Sequence, residues 1–251
     1  MITILFFILG ILFGSFINVC IYRIPKGISV IFPLSYCPCC KKTILWYDNI
    51  PLLSYTFLKG RCRFCKAPIS VQYPIVEALT GGLFVLFYLK FGINVTYFAF
   101  LIFVVFSMII SFIDINTQTI PDALSVPLII IGIILSSFNA FLNKPHIIFS
   151  LIGAITGFFL LYIIALLGKV MFKKEAMGGG DIKIISAIGA FTGPYAVLFT
   201  VFIASFLGAV FGLFLIITKK KERTEPIAFG PFLFLGSFMY ILFDYFFKNL
   251  L

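Results

Sequence analysis

Apolar residues run through this chain in long blocks, with polar residues gathered between the blocks rather than alternating within them. A bilayer-spanning helix needs about 20 predominantly apolar residues. On that scale the pattern predicts helices at roughly 2–22, 73–91, 95–113, 122–142, 147–170, 182–194, 195–217 and 227–248. The tract 184–217 is too long for one crossing, and Gly193-Pro194 is the one break in it, so the reading divides it there. The first block lacks a basic start and a small-residue cleavage site, and reads as a permanent span rather than a secretion signal. The fold class expected is an all-α polytopic membrane protein of about eight transmembrane helices. Its parts are a first helix at 1–22, a polar cysteine-rich insert at 23–72, and seven further helices over 73–251.

Composition excludes a soluble domain. Hydrophobic residues make up 62% of the chain and charged ones 11%, where soluble domains carry about 25% charged residues. The net charge of +10 would suggest nucleic acid in a soluble protein. Here the charges belong to loops, so they report orientation instead, and no nucleic-acid partner is expected. With eight spans, sixteen of the 19 basic residues fall on one side, in 23–72, 169–183 and 218–226. The other side keeps Lys90, Lys144 and Lys248. The positive-inside rule makes the rich side cytoplasmic and places both termini outside.

The insert reads "SYCPCCKKTILWYDNIPLLSYTFLKGRCRFCKAPISVQYP". Two C-x-x-C pairs, Cys37/Cys40 and Cys62/Cys65, have the spacing of a zinc ribbon, in which four thiolates surround a tetrahedral metal. So small a segment needs such a staple. Cys39 offers a competing thiol, and a cytoplasmic setting disfavours disulfides. Cys20, inside the first span, reads as a small buried apolar residue.

Nine acidic residues exist, so each can be weighed. Asp48, Glu175, Glu222 and Glu225 read as solvated loop residues, and Asp244 as a surface residue near the end of the last span. Glu77, Asp114, Asp122 and Asp181 border apolar segments, where ionisable groups default to function. Asp114 ends the third span and Asp181 opens the sixth, at the same membrane boundary. Two carboxylates brought together divide the roles of acid and base, which is how an aspartic protease activates water. Gly178, Gly179 and Gly180, just before Asp181, let the backbone turn tightly and an extended peptide approach. Asp122 reads as a helix-start carboxylate with a supporting part in the site, and Lys183 as a further supporting residue.

The chain resembles the bacterial type IV prepilin peptidases, integral membrane aspartic proteases of the GxGD class. The resemblance rests on "GSFINVCIYRIP", the cysteine insert running into "YPIVEALTG", "FIDINTQTIPDALSVP" and "GGGDIK". Asp114 and Asp181 fall on the two catalytic aspartates of that pattern. Archaeal preflagellin enzymes of the class lack the insert, which points to the bacterial branch. The resemblance implies cleavage of prepilin and pseudopilin leaders after a glycine, at the cytoplasmic face of the inner membrane. It also implies methylation of the exposed amine from S-adenosylmethionine, beside the structural zinc that the cysteine spacing already suggests. The substrates would have a basic leader and an apolar N-terminal helix lying in membrane lipid beside the enzyme, and would serve type IV pili, type II secretion or DNA uptake. Glu77, the remaining membrane-depth carboxylate, is then the candidate for handling the amine in methyl transfer. Two rival classes fit fewer features. A membrane thiol oxidoreductase would use the C-x-x-C pairs, and an ion-coupled transporter would use Glu77, Asp114 and Asp181.

Overall fold

A computed structural model describes residues 1–173, 177–218 and 226–248. Lys174, Glu175, Lys219, Lys220, Lys221, Glu222, Arg223 and Glu225, assigned above to loops, lie outside the described residues. Nine α-helices account for most of the described residues. They are α1 (Ile2–Arg23), α2 (Leu53–Phe57), α3 (Gln72–Phe91), α4 (Val95–Thr117), α5 (Asp122–Ser136), α6 (His146–Phe172), α7 (Gly179–Thr192), α8 (Pro194–Ile217) and α9 (Gly230–Lys248). All but α2 correspond to the predicted apolar blocks, and Gly193, at φ 84°, separates α7 from α8 as expected. Among the described residues, five helices are long and apolar enough to cross a membrane, namely α1, α3, α4, α6 and α8, while α5 and the first part of α9 are shorter apolar helices. Two boundaries move. The fourth block stops at Ser136 rather than 142 because Asn139 is buried, with its Nδ2 donating to Phe191 O at 2.9 Å and its Oδ1 accepting from Phe141 N–H. The third helix runs on to Thr117, so Asp114 sits in its last turn.

The chain folds as two compact units, residues 1–93 and 94–251. In the first, α1 and α3 pack against each other on either side of the insert. Gly10 and Gly14, one turn apart on α1, make this possible. A Cβ on Gly10 would lie 2.6 Å from Gly81 Cα, and one on Gly14 2.6 Å from Glu77 Cα. Small residues at this spacing let membrane helices touch backbone to backbone, where dispersion rather than the hydrophobic effect drives association. Arg23 ends α1 buried, donating to the carbonyls of Ser29 and Pro33 and so folding the exit loop back. Cys20 is buried, as its apolar reading required.

The second unit is organised around α7. From Ile184 onward every residue of this helix is buried. Gly153 of α6 meets Gly189 of α7 so closely that a Cβ on either would lie 2.1–2.2 Å from the other's carbonyl oxygen. Gly157, one turn on, crosses Ile185 in the same way. Gly132 makes room on α5 for the ring of Phe191. That ring joins Phe100, Phe103 and Phe234 in a chain of tilted and edge-on contacts with centroids 5.1–6.2 Å apart, the arrangement favoured by aromatic quadrupoles. By contrast α6 and α8 leave Phe158, Leu167, Phe202 and Val210 exposed, the outward apolar surface that lipid rather than water would cover. Asp244, expected at the surface, is buried in α9.

Candidate active site and metal centre

Asp114 and Asp181 reach one place from opposite chain directions. Asp114 lies in the last turn of α4 and Asp181 in the first turn of α7; they are 4% and 7% exposed. The two carboxylates lie within electrostatic reach of one another. A third element completes the site. Gly230, the first residue of α9, donates its amide to Asp114 Oδ2 at 3.0 Å. A Cβ at Gly230 would stand 2.9 Å from that oxygen and 3.2 Å from Ile184 Cδ1, so only glycine leaves space there. Gln118 caps α4 in the left-handed region and its Nε2 donates to Pro226 O at 2.9 Å, drawing the approach to α9 toward the end of α4. Asp181 Oδ1 is buried and accepts no hydrogen bond from the described residues. A buried carboxylate oxygen without a donor is costly, and marks where water or a peptide group would complete the set.

The three glycines before Asp181 are not equivalent. Gly180 packs on Ile120, whose Cβ would be 2.6 Å from an added Cβ. Gly179 faces open space, and Gly178 would make only an ordinary contact, 3.6 Å from Asp181 Oδ2. Asp122 opens α5 and pairs with Lys183 Nζ at 2.5 Å, clipping α5 to α7 two residues from Asp181. Glu77 is buried on α3 in the first unit. Its Oε2 accepts the Leu52 amide at 2.8 Å. Sequence reasoning passed over Gly230, Gln118 and the glycine pairs of α1 and α6. The signals were present as "FGP" at the start of the last block and as two G-x-x-x-G spacings.

In the insert, Cys37, Cys40, Cys62 and Cys65 converge, with all four sulfurs within 4.8 Å of one another. Cys37 Sγ and Cys65 Sγ are 3.8 Å apart. Metal–sulfur bonds of about 2.3 Å in a tetrahedron require sulfur–sulfur edges of about 3.8 Å, so the donor set fits zinc. Cys39 is exposed and stays outside the group. The two halves repeat one another as C-x-x-C-K-x-x-I. Cys37 N–H donates to Lys42 O as Cys62 N–H does to Ala67 O, and Ile44 N–H to Ser35 O as Ile69 N–H does to Gly60 O. Lys41 and Lys66 both turn through φ 59° after the second cysteine. The amides of Cys65 and Phe64 pull the Cys62 thiol down to about 6. The Ala67 amide pulls Cys65 the same way, but loss of hydration and the neighbouring thiols outweigh it and push Cys65 up to about 12. Asp48, expected to be solvated, instead takes a two-pronged grip from Arg63, at 2.7 Å from Nε and 2.6 Å from Nη2. This ties the second knuckle to the 3-10 turn Trp46–Asn49.

These features define a helical membrane protein with a buried carboxylate pair and a four-thiol insert. Family comparison agrees with both units: residues 8–91 match the bacterial peptidase A24 N-terminal domain, and residues 101–213 match the type IV leader peptidase family. A Klebsiella pneumoniae protein named prepilin leader peptidase/N-methyltransferase is 40% identical over 205 residues, covering 79% of this chain and 89% of that protein. Proteins of the same name from Stutzerimonas stutzeri and Neisseria gonorrhoeae are each 33% identical, over 94% and 89% of this chain and 88% and 84% of their own lengths. No solved structure matches the chain. The chain belongs to the type IV leader peptidase family.

Proposed function

We propose that this protein removes the leader from type IV prepilins or pseudopilins and then methylates the new N-terminal amine, and that Asp114 and Asp181 carry out the cleavage. The observation that carries the peptidase reading is the meeting of two buried carboxylates, one held by the Gly230 amide and one with an oxygen left free. Asp114, already accepting a hydrogen bond, serves as the carboxylate that takes a proton from water. Asp181 serves as the carboxylic acid that hydrogen-bonds the scissile carbonyl. Water adds to the carbonyl carbon, its proton passes to Asp114, and the leaving amine is protonated as the C–N bond breaks. The open space at Gly179 gives an extended peptide room to lie beside Asp181. With 14 residues, α7 rises about 21 Å, short of a hydrocarbon core of about 30 Å. Asp181 is thus recessed at the start of a short helix, where a substrate entering from the bilayer can meet it.

The orientation follows from the basic loops, with the insert on the cytoplasmic side of the inner membrane and both termini outside. Cys37, Cys40, Cys62 and Cys65 would hold zinc, which would supply the staple that a segment of this size lacks. S-adenosylmethionine would supply the methyl group. At Glu77 the packing leaves no visible cradle for that donor, since Gly14 lies against its Cα and Leu52 occupies Oε2. No step is therefore assigned to Glu77, which stays a candidate for handling the amine. Purified enzyme and a prepilin peptide test the reading by product mass. Asp114→Asn and Asp181→Asn should each lower cleavage by roughly 10²–10⁴-fold while leaving detergent extraction and zinc content unchanged. Normal cleavage by either variant removes that residue from the pair.

A further inference from the structure

We infer that residues 46–57 of the insert form an interfacial anchor, folded back onto the membrane and seated among anionic lipid headgroups. The first observation is depth. The 20 residues of α3 span about 30 Å, which matches the hydrocarbon core, so Gln72 lies at its edge. Glu77 is in the second turn of that helix, about 7–8 Å further along. The Leu52 amide donates to Glu77 Oε2 at 2.8 Å, which folds the insert back toward α3 to within a glutamate side chain's reach of that level. Leu52 adopts φ 61° there, in the left-handed region, and the hydrogen bond holds the chain at this turn.

The second observation is the surface that this turn presents. Trp46 is 80% exposed, Phe57 81% and Leu53 55%. Leu53 and Phe57 lie four residues apart on α2 and so share one side of it. Large apolar groups left bare beside a membrane helix need a cover, and tryptophan settles where apolar tails meet headgroups. The third observation is charge. Residues 23–72 contain eight basic side chains against a single carboxylate, Asp48, which Arg63 already neutralises. Lys41, Lys42, Lys59, Arg61 and Lys66 are exposed. Anionic lipid attracts such a set, at about 1 kcal/mol per basic residue near the surface. The apolar turn and the basic knuckles together fit an anionic bilayer surface.

Trp46 is the one tryptophan in the chain, so fluorescence of the full-length protein reports on this segment alone. The protein is reconstituted into phosphatidylcholine–phosphatidylglycerol vesicles and into phosphatidylcholine vesicles, with lipids brominated high or low on the acyl chain. The expected result is blue-shifted emission, strong quenching by the high bromines, weak quenching by the low ones, and protection from aqueous acrylamide. The lipid quenching should weaken when phosphatidylglycerol is omitted. Emission like that of the unfolded chain, with free access for acrylamide, overturns the inference. Protection from acrylamide without quenching by lipid also overturns it, because a second copy or a peptide would then be the cover. Glu77→Ala should release the turn and lose most of the lipid quenching, whereas Glu77→Gln keeps an acceptor oxygen and should retain it. Full quenching in Glu77→Ala would reject the tether.

Discussion

The two compact units hold their polar groups by opposite means. In residues 1–93 the thiols meet through local geometry: each pair sits in one tight turn, and the two turns repeat the same backbone hydrogen bonds. In residues 94–251 the carboxylates meet only because α4, α7 and α9 pack, through glycine contacts and interlocked phenylalanines. The first kind of site would draw its strength from a bound ion and depends little on its surroundings. The second is assembled by helix packing, so every helix that passes the site sets its geometry. A lesion should therefore act locally in one unit and through packing in the other.

The largest effect expected is on the insert. Chelation, or Cys37→Ser, should remove the metal and unfold the knuckles, because binding and folding are linked in so small a segment. Metal analysis should give one zinc per chain in the intact protein and none in Cys37→Ser, with Cys39→Ser retaining its zinc. If the carboxylate unit is independent in the way its packing suggests, limited proteolysis of the stripped protein should cut within 23–72 and spare 94–251. Cleavage spread through both units would erase the contrast.

Next in size is the amide on Asp114. Gly230→Ala keeps the N–H but adds a Cβ facing Oδ2, whereas Gly230→Pro adds the ring and deletes the donor at a helix position where proline is tolerated. A hydrogen bond to a charged group contributes about 1.5–3 kcal/mol. The proline variant should therefore lose a further tenfold or more in kcat beyond the alanine variant, with KM little changed. Equal losses would mean that space alone matters at Gly230. On the stability side, Gly180→Ala should cost about 1–3 kcal/mol by overpacking against Ile120. Gly179→Ala should leave the melting temperature unchanged, since nothing faces it.

The same contrast explains what the sequence made legible. Apolar block length announced the helices, because a bilayer demands it of any spanning segment. The cysteine spacing announced the thiol cluster, because four ligands in two turns leave a local imprint. The motif around Asp114 and the glycines before Asp181 marked two carboxylates, but not the Gly230 amide that bonds the first of them. That contact depends on where α9 begins in space, and nothing near "FGP" encodes its partner more than a hundred residues earlier. Asp48 and Asp244 were misjudged for the same reason, since burial and an ion pair are properties of neighbours rather than of the residue. Asn139 ended a helix early through a bond to Phe191 that no local rule would suggest.

The smallest effects belong to two ion pairs, one taken from each unit. Lys183→Met breaks an exposed single-point contact with Asp122 and should change stability by no more than about 1 kcal/mol. Arg63→Gln removes a two-pronged grip on Asp48 that also positions the second knuckle, so its consequence should be seen in the insert. The hydrogen bonds from Arg63 hold the Asp48 carboxyl below its ordinary range, with loss of hydration opposing them. A carboxyl whose folded pKa is depressed contributes stability above its unfolded value of about 3.9, and loses that contribution as pH falls through the folded one. Thiolates also release metal in acid, so a melting curve would mix the two events. The carboxyl carbon of Asp48 separates them. Its NMR titration midpoint should lie below the ordinary value in the intact protein and return to about 3.9 in Arg63→Gln. A midpoint that does not move would show that the grip is a contact without electrostatic consequence, and that the second knuckle is held by its backbone bonds alone.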